Sequence, residues 1–409
     1  MTLARHFALL LLALTVLIGL APGVGLAEDN EGVDPEPLVR IGLRVKGTEA
    51  KVGVTVSAGQ VIDLVSRKVL FEVDPAKPLT VSIDDGRLRA GKWHADGLAL
   101  VAGSTGHVAL YGAAAPVEYH GYLSFRIYEG DLIVINHCRL DEYLYGVVPA
   151  EMGHGWPLEA LKAQSVAART YAVKQMGQKP GDLFDLWSDT KDQMYSGCAV
   201  EHPTITKAID CTTGLILTYD GIPIQAYYHS QSGEETLPGS ALRGASTAQP
   251  YLQAVPSREG NFQRWVVPLR SAAFRKALAA HGMPCSKLLA VRQYAPDAGL
   301  IEVLTDTADY QLPRNDLRWW FKANGFKSAN FKVEIDPVPD VGDAIDDDAT
   351  IQFIGTGNAH GVGMSQYGAM GYAKDGWTYD QILSHFYPGT DLSLWYDMSE
   401  EVNDSPEME

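Results

Sequence analysis

The sequence predicts an α+β protein in which a β-rich N-terminal region leads into a mixed α/β core. Three observations carry this expectation. From Leu38 to about Asn136, short alternating apolar runs (VRIGLRV, VGVTVSA, LTVSI and LSFRIYEGDLIVIN) are broken by Gly and Asp. The period then changes at PLEALKAQSVAARTYAVKQM, where strong helix formers follow Pro157. A chain of 409 residues, 46% apolar and 20% charged, is long enough for about two domains and is not disordered in composition.

The chain opens with MTLARHFALLLLALTVLIGLAPGVGLAEDN, one Arg followed by an apolar run and small residues. This pattern predicts a signal peptide over 1–27, cleaved near Ala27, and export to the periplasm, cell wall or medium. An uncleaved N-terminal membrane anchor is the alternative, since the apolar run approaches spanning length. No Cys follows that run, so a lipid anchor is not indicated.

Residues 28–118 form the expected β-rich region. The YEGDL segment reads as a hairpin turn, and its second strand runs directly into LDEYLYGVVPAEM. On the helix that follows, Leu158, Leu161, Ser165, Ala168, Ala172 and Met176 share one face, and Arg169 lies close to its centre. A guanidinium there must snorkel outward or meet a carboxylate, with Glu151 among the candidates. The segment LILTYDGIPIQAYYHSQSGEE reads as two strands around an Asp-Gly turn, ending in a polar Ser-rich loop.

Further along, LRSAAFRKALAAHG is helical in pattern. Near the C-terminus a Gly-rich loop precedes a short helix, and Thr378 with Gln381 forms a capping box for a second. The acidic stretch 336–350 reads as an insertion in a core spanning 119–395, and 396–409 as a solvated acidic tail. No internal repeat is evident.

The formal charge is −17, and removal of Arg5 with the signal makes it −18. Nucleic acid and anionic membrane surfaces are therefore poor partners through bulk electrostatics. Cys138, Cys198, Cys211 and Cys285 form no CxxC and no zinc-finger spacing. A Cys198–Cys211 disulfide is one of three pairings in an exported protein, and reduced thiols are the alternative. His202, His229, His281, His360 and His385 are scattered without ligand spacing, so neither a metal site nor a cofactor is expected.

Among the acids, Glu151 stands apart. It lies between a Val-Val-Pro turn and a His-Gly-Trp-Pro loop, flanked by apolar residues, where a carboxyl group can stay protonated. The alternative is a structural acid that pairs with Arg169 or caps the next helix. Asp141, Glu142 and Glu159 are more ordinary, Glu159 being a first-turn helix acid. In YYHSQSGEE, His229, Ser230 and Ser232 raise the idea of a serine nucleophile. No G-x-S-x-G elbow is present, however, and neighbouring residues on an extended chain point to opposite faces.

The segments LDEYLYGVVPAEM...WPLEALKAQSVAARTYA, QMYSG, YYHSQSG, PYL..VPS and HGVGMSQYGAMGYAKDG...ILSHFYPGT occur in this order over about residues 120–390. In that arrangement the chain resembles the sporulation stage II protein D family, which includes the LytB amidase enhancers. The resemblance implies a SpoIID-like core acting on peptidoglycan glycan strands. Catalytic members are lytic transglycosylases that cleave the MurNAc–GlcNAc bond, preferring glycan already stripped of stem peptides by an amidase. Glu151 matches the family's catalytic glutamate.

Gln164, Ser165, Arg169, Gln193, Tyr195, His229, Ser230, Ser232, Gly233, His360, Ser365 and Gln366 are the expected glycan-groove residues, His229, Ser230, Ser232 and Gly233 as what the resemblance implies. Gln164, Ser165 and Arg169 orient Glu151, contact sugar, or serve packing and ion pairing. Asp189, Gln193 and Tyr195 of SDTKDQMYSG form a cleft wall or a simple turn. A core-packing loop with a hydrogen-bonded His is the alternative for His360, Ser365 and Gln366. An N-acetylmuramoyl-L-alanine amidase is an implied partner, and a non-catalytic amidase enhancer is the alternative activity. The chain departs from the family in two places. Glu234 stands where a second Gly is usual, and Gly357-Asn358-Ala359 stands where Gly-Trp-Gly commonly leads into His360, which removes a sugar-stacking aromatic.

Overall fold

The computed structural model describes residues 36–396, apart from 44–46, 76, 113–114, 177–182, 245–248, 296 and 341–342. The expected signal segment and all but the first residue of the expected acidic tail lie outside the described residues. With 24% of the described residues helical and 37% in strands distributed over several sheets, the protein is α+β. Among the described residues no helix is long and apolar enough to cross a membrane.

The N-terminal region builds two sheets packed on each other. One has seven strands in the order Leu186–Trp187, Leu38–Leu43, Asp131–Arg139, Tyr122–Tyr128, Leu98–Ala102, Gly59–Asp63 and Val69–Val73. The other has six, in the order Val117–Tyr119, Val108–Tyr111, Glu49–Val54, Leu79–Asp84, Arg87–Ala90 and Trp93–Ala95. Val52, Val54, Leu88, Leu98, Leu100 and Phe125 fill the space they share. The boundary expected at 118 thus runs through a continuous sheet, because strands from 38–102 pair with strands from 122–139.

The expected hairpin is present, with Glu129 at φ +52° and Gly130 at φ +88°, the two left-handed residues a tight two-residue turn requires. Its second strand is buried along most of its length and delivers the chain into helix α1 (Leu140–Glu151). This corrects the reading of Val147-Val148-Pro149 as a turn. The three residues form the last part of α1, where Pro149 forfeits one backbone donor just before the helix ends.

Helix α2 (Leu158–Gln175) starts after Pro157 as its sequence predicts and lies at the centre of the core. Its Ala-rich surface lets α1, α3 (Pro203–Asp210) and the strand Leu215–Tyr219 approach closely. The Asp220-Gly221 turn is also as expected, at φ +51° and +75°. Beyond it only Ile222–Pro223 pairs, and the chain becomes irregular until Tyr228–His229.

Residues 264–356 enclose a second hydrophobic core that the sequence analysis did not separate. Arg264–Arg270, Thr350–Thr356 and Phe331–Asp336 form one sheet, and Leu288–Gln293, Leu300–Thr305 and Asp309–Pro313 another. Helices α4 (Ser271–Ala280) and α5 (Arg314–Trp320) cover them, and Trp265, Phe274, Phe321, Phe326, Phe331 and Phe353 fill the interior. The acidic stretch 336–350 is the connection between two paired strands of this unit, and Ile345 within it bridges to Leu288.

The chain returns to the first core with α6 (Gln366–Lys374) and α7 (Tyr379–Phe386), both against α2. The Thr378/Gln381 capping box forms, with the Thr378 N–H donating to Gln381 Oε1 at 3.1 Å. Glu159 keeps its place in the first turn of α2 and also accepts from the Tyr379 N–H at 2.9 Å, joining two helix starts.

Candidate active site

Glu151 is the last residue of α1, so its side chain leaves the helix beside the first core's surface and stays partly exposed. Two donors hold the carboxylate. The Met194 N–H reaches Oε1 at 3.1 Å, and Gln366 Nε2 lies 3.5 Å from Oε2. Burial raises the carboxyl's pKa, and the Met194 and Gln366 hydrogen bonds offset part of that rise. Among the described residues no neighbouring acid contributes to the shift.

Beside Glu151 stands a buried polar chain. Tyr143 Oη donates to Gln193 Oε1 at 3.2 Å, and Gln193 Nε2 donates to Tyr228 Oη at 2.8 Å. Burial first, and then the nearby Glu151 charge, push the Tyr228 phenol well above its ordinary range. Trp156, from the loop after Glu151, meets Tyr367 edge-on at 4.9 Å, and both rings stay partly exposed.

Gln366 reaches Glu151 because the chain before it is clamped. Tyr228–His229 pairs in parallel with Met364–Ser365, and the Tyr367 N–H donates to the Ser230 carbonyl at 3.2 Å. Beneath this junction sits Glu259, a buried carboxylate that the sequence analysis missed. It accepts from the Ser232 N–H (2.7 Å), Ser232 Oγ (2.9 Å), Gly233 N–H (3.0 Å), Ser257 Oγ (3.0 Å) and Ser365 Oγ (2.6 Å). Ser365 Oγ also caps α6 through the Gly368 N–H. The available signal was position, since Glu259 follows the PYL..VPS motif by two residues.

Gly233 is required here: its φ is +91°, and a Cβ would collide with the Thr356 side chain. Glu234 is exposed and is not among the residues with positive φ, so the lost second Gly does not strain that position. Ala359, by contrast, sits at φ +85°, in the left-handed region that favours glycine.

Most of the expected groove residues are buried and held by partners within the protein. Arg169 is 0% exposed and pairs with Asp141 at 2.8 Å, not with Glu151; Tyr396 Oη and the Leu215 and Ile209 carbonyls complete its partners. Asp141 is therefore no ordinary acid, and Tyr396 belongs to the core, not to a solvated tail. Ser165 Oγ donates back to the Leu161 carbonyl, and Tyr195 Oη donates to Asn136. Gln164 is fully buried with both side-chain polar atoms unpartnered.

His229 Nδ1 faces the Val362 carbonyl at 3.1 Å, and His360 bridges the Tyr228 carbonyl (3.0 Å) and the Val362 N–H (3.1 Å). These histidines, with Ser230, Ser232, Gly233 and Ser365, fasten the two loops. Of the expected residues, Gln366 alone touches Glu151, and Gln193 reaches its surroundings through Tyr228. Asp189 lies in the turn before Asp192, accepting from the Lys191 N–H.

The four cysteines are free thiols, so the Cys198–Cys211 bridge does not form. Cys198 opens a 3-10 turn, and Cys211 ends α3 facing solvent. His107, His120 and Cys198, a grouping absent from the sequence motifs, present ligand atoms that all lie within 4.8 Å of one another.

Comparison with known proteins bears on the whole arrangement. A family model described as "Stage II sporulation protein" matches residues 128–219, the segment that holds α1, α2 and Met194. The stage II sporulation protein D of Bacillus subtilis is 31% identical over 278 residues, covering 63% of this chain and 76% of the relative. An uncharacterized protein of Brachyspira hyodysenteriae is 32% identical over 287 residues, 68% of this chain and 72% of its own. The amidase enhancer of Bacillus subtilis is 29% identical over 304 residues, 62% of this chain but only 40% of the enhancer. The chain belongs to the stage II sporulation protein D family, the SpoIID/LytB family that its motifs resemble.

Proposed function

We propose that the protein is an exported peptidoglycan lytic transglycosylase that cleaves MurNAc–GlcNAc bonds with Glu151 as its single general acid and base. The observation that carries this reading is the state of Glu151: a partly exposed carboxyl with a raised pKa, held by one backbone N–H and one amide. A glycosidic oxygen leaves as an alcohol only if it gains a proton, and a carboxyl whose protonated form is favoured by burial supplies one.

The protonated carboxyl of Glu151 gives its proton to the bridging oxygen as the bond to MurNAc C1 breaks. The resulting carboxylate then takes the proton from the MurNAc 6-hydroxyl as that oxygen bonds to C1. The products are a free GlcNAc 4-hydroxyl and a 1,6-anhydro end, with no water consumed and the acid restored. A hydrolase would need a second carboxylate. The exposed faces of Trp156 and Tyr367 are the platforms on which we expect sugar rings to stack.

The test is mass spectrometry of products released by the full chain and by Glu151→Gln from peptidoglycan with and without amidase pretreatment. Anhydro ends from the wild type alone would support the reading, and dependence on pretreatment would assign it to glycan stripped of peptides. Reducing ends would mean hydrolysis. Glycan binding without products would instead favour the second reading, a non-catalytic amidase enhancer, which the similarity to the Bacillus subtilis amidase enhancer keeps in view.

A further inference from the structure

We propose that His107, His120 and Cys198 form a binding site for a first-row divalent metal, with zinc the best fit, which fastens the N-terminal hairpin to the segment that supports Glu151. The strands Val108–Tyr111 and Val117–Tyr119 are antiparallel with Tyr119 opposite Val108. His107 and His120 flank that pair and so face each other at one end of the hairpin. Their rings meet edge-on at 4.8 Å.

Cys198 comes from the other side. Gly197 (φ +68°) packs so tightly on Glu118 that a Cβ would strike the Glu118 carbonyl, and this close approach brings the next residue's thiol beside the histidines. Two imidazoles and a thiol are a borderline-soft set suited to tetrahedral zinc, with Zn–N about 2.0 Å and Zn–S about 2.3 Å. Tetrahedral bonds of that length put ligand atoms about 3.5 Å apart, so these partly exposed side chains close by about 1 Å on binding.

The surroundings supply a second, independent indication. His107 Nδ1 lies 3.4 Å from Glu118 Oε2, and His120 Nε2 lies 2.7 Å from Glu201 Oε1, with Glu142 3.9 Å from its Nδ1. A carboxylate on one nitrogen of a ligand histidine fixes ring orientation and raises basicity, leaving the other nitrogen to bind the metal. Glu118, Glu142 and Glu201 also place negative charge around the cluster, which favours a divalent cation, and metal binding releases the thiol proton to solvent. His107 and His120 lie outside the family-matched residues 128–219, so that match does not imply the site.

A metal here would act at a distance on the active site. Cys198 is four residues beyond Met194, whose N–H holds Glu151. His202, next to Glu201, stacks on His154 of the loop after Glu151 at 4.2 Å.

The probe is cobalt(II), added to the chelator-treated full chain in mild detergent, followed by zinc competition. The expected result is one cobalt per chain, with a sulfur-to-cobalt charge-transfer band and the visible bands of a tetrahedral ion. Zinc should abolish both bands and raise Tm. Cys198→Ser should lose the charge-transfer band, His120→Gln should weaken binding at least tenfold, and Cys211→Ser and Cys285→Ser should behave as wild type. Absence of stoichiometric binding, binding without a thiolate band, or a band lost in Cys211→Ser or Cys285→Ser would overturn the assignment. Should Cys198→Ser fail to fold, the wild-type band and the two control variants still decide.

Discussion

The Gln366 amide lies 3.5 Å from the Glu151 carboxylate across 215 positions of sequence. It arrives there because Ser365, one residue earlier, is locked to Glu259 at 2.6 Å. The acid proposed for catalysis is thus held by a residue that is itself positioned by a second, buried acid.

Glu151→Gln should remove glycan cleavage, a loss of about 10²–10⁴-fold or more for a general acid. It should also stabilise the fold as pH rises. Because Glu151's folded pKa is raised, the wild type loses stability as pH climbs above the unfolded value, and the amide has no such loss. Urea midpoints of the two proteins should therefore converge in acid and separate toward neutral pH; parallel curves would count against a raised carboxyl.

Gln366→Ala removes a hydrogen bond that favours the ionised form of Glu151. The carboxyl should then stay protonated to higher pH, moving the alkaline limb of the pH–rate profile upward. An unmoved limb would show that the amide does not act on the acid.

Glu259→Ala leaves three hydroxyls and two backbone N–H groups without their acceptor. Hydrogen bonds to a charged group are worth about 1.5–3 kcal/mol each, not additively, so a stability loss of several kcal/mol is expected by denaturant unfolding. Where the variant still folds, activity should fall although Glu259 does not touch Glu151.

Arg169→Met should cost about 3–5 kcal/mol, since it strands Asp141 as a buried, uncompensated charge. The double variant Arg169→Met/Asp141→Leu should recover much of that loss. A small loss in the single variant would mean that Asp141 finds water.

Stability should fall in acid through His360. Its Nδ1 accepts from the Val362 N–H, so the ring is neutral with its proton on Nε2 toward the Tyr228 carbonyl. Burial pulls its pKa down to about 4. With the unfolded value near 6.5, the unfolded chain takes up the proton first, and stability is lost from about pH 6.5 down to about pH 4. His360→Gln should reduce the slope of urea midpoints across that window, with His137 and His229, whose pKa values burial also lowers, supplying the rest.

How much of this was legible in sequence depends on the range of the interaction. The hairpins at Glu129-Gly130 and Asp220-Gly221, helix α2 and the Thr378 cap were readable because turns, periodicity and capping are set by residues a few positions apart. Glu151 was readable as an unusual acid from its apolar neighbours and from its motif. By itself the sequence thus determined the α+β class, these local elements, the family and the identity of the candidate acid.

Tertiary structure decided the rest, because burial and partnership join residues far apart in the chain. Arg169 could not be assigned to Asp141 instead of Glu151 without knowing which carboxylate packs beside it. The second core at 264–356 depends on pairing Arg264–Arg270 with Thr350–Thr356 across the intervening residues 271–349. Glu259 was marked only by its place two residues after the PYL..VPS motif, and His107, His120 and Cys198 have no motif spacing at all. A carboxylate or thiol acquires its chemistry from the charges and donors that surround it, and in this fold those come from distant segments brought together by the core.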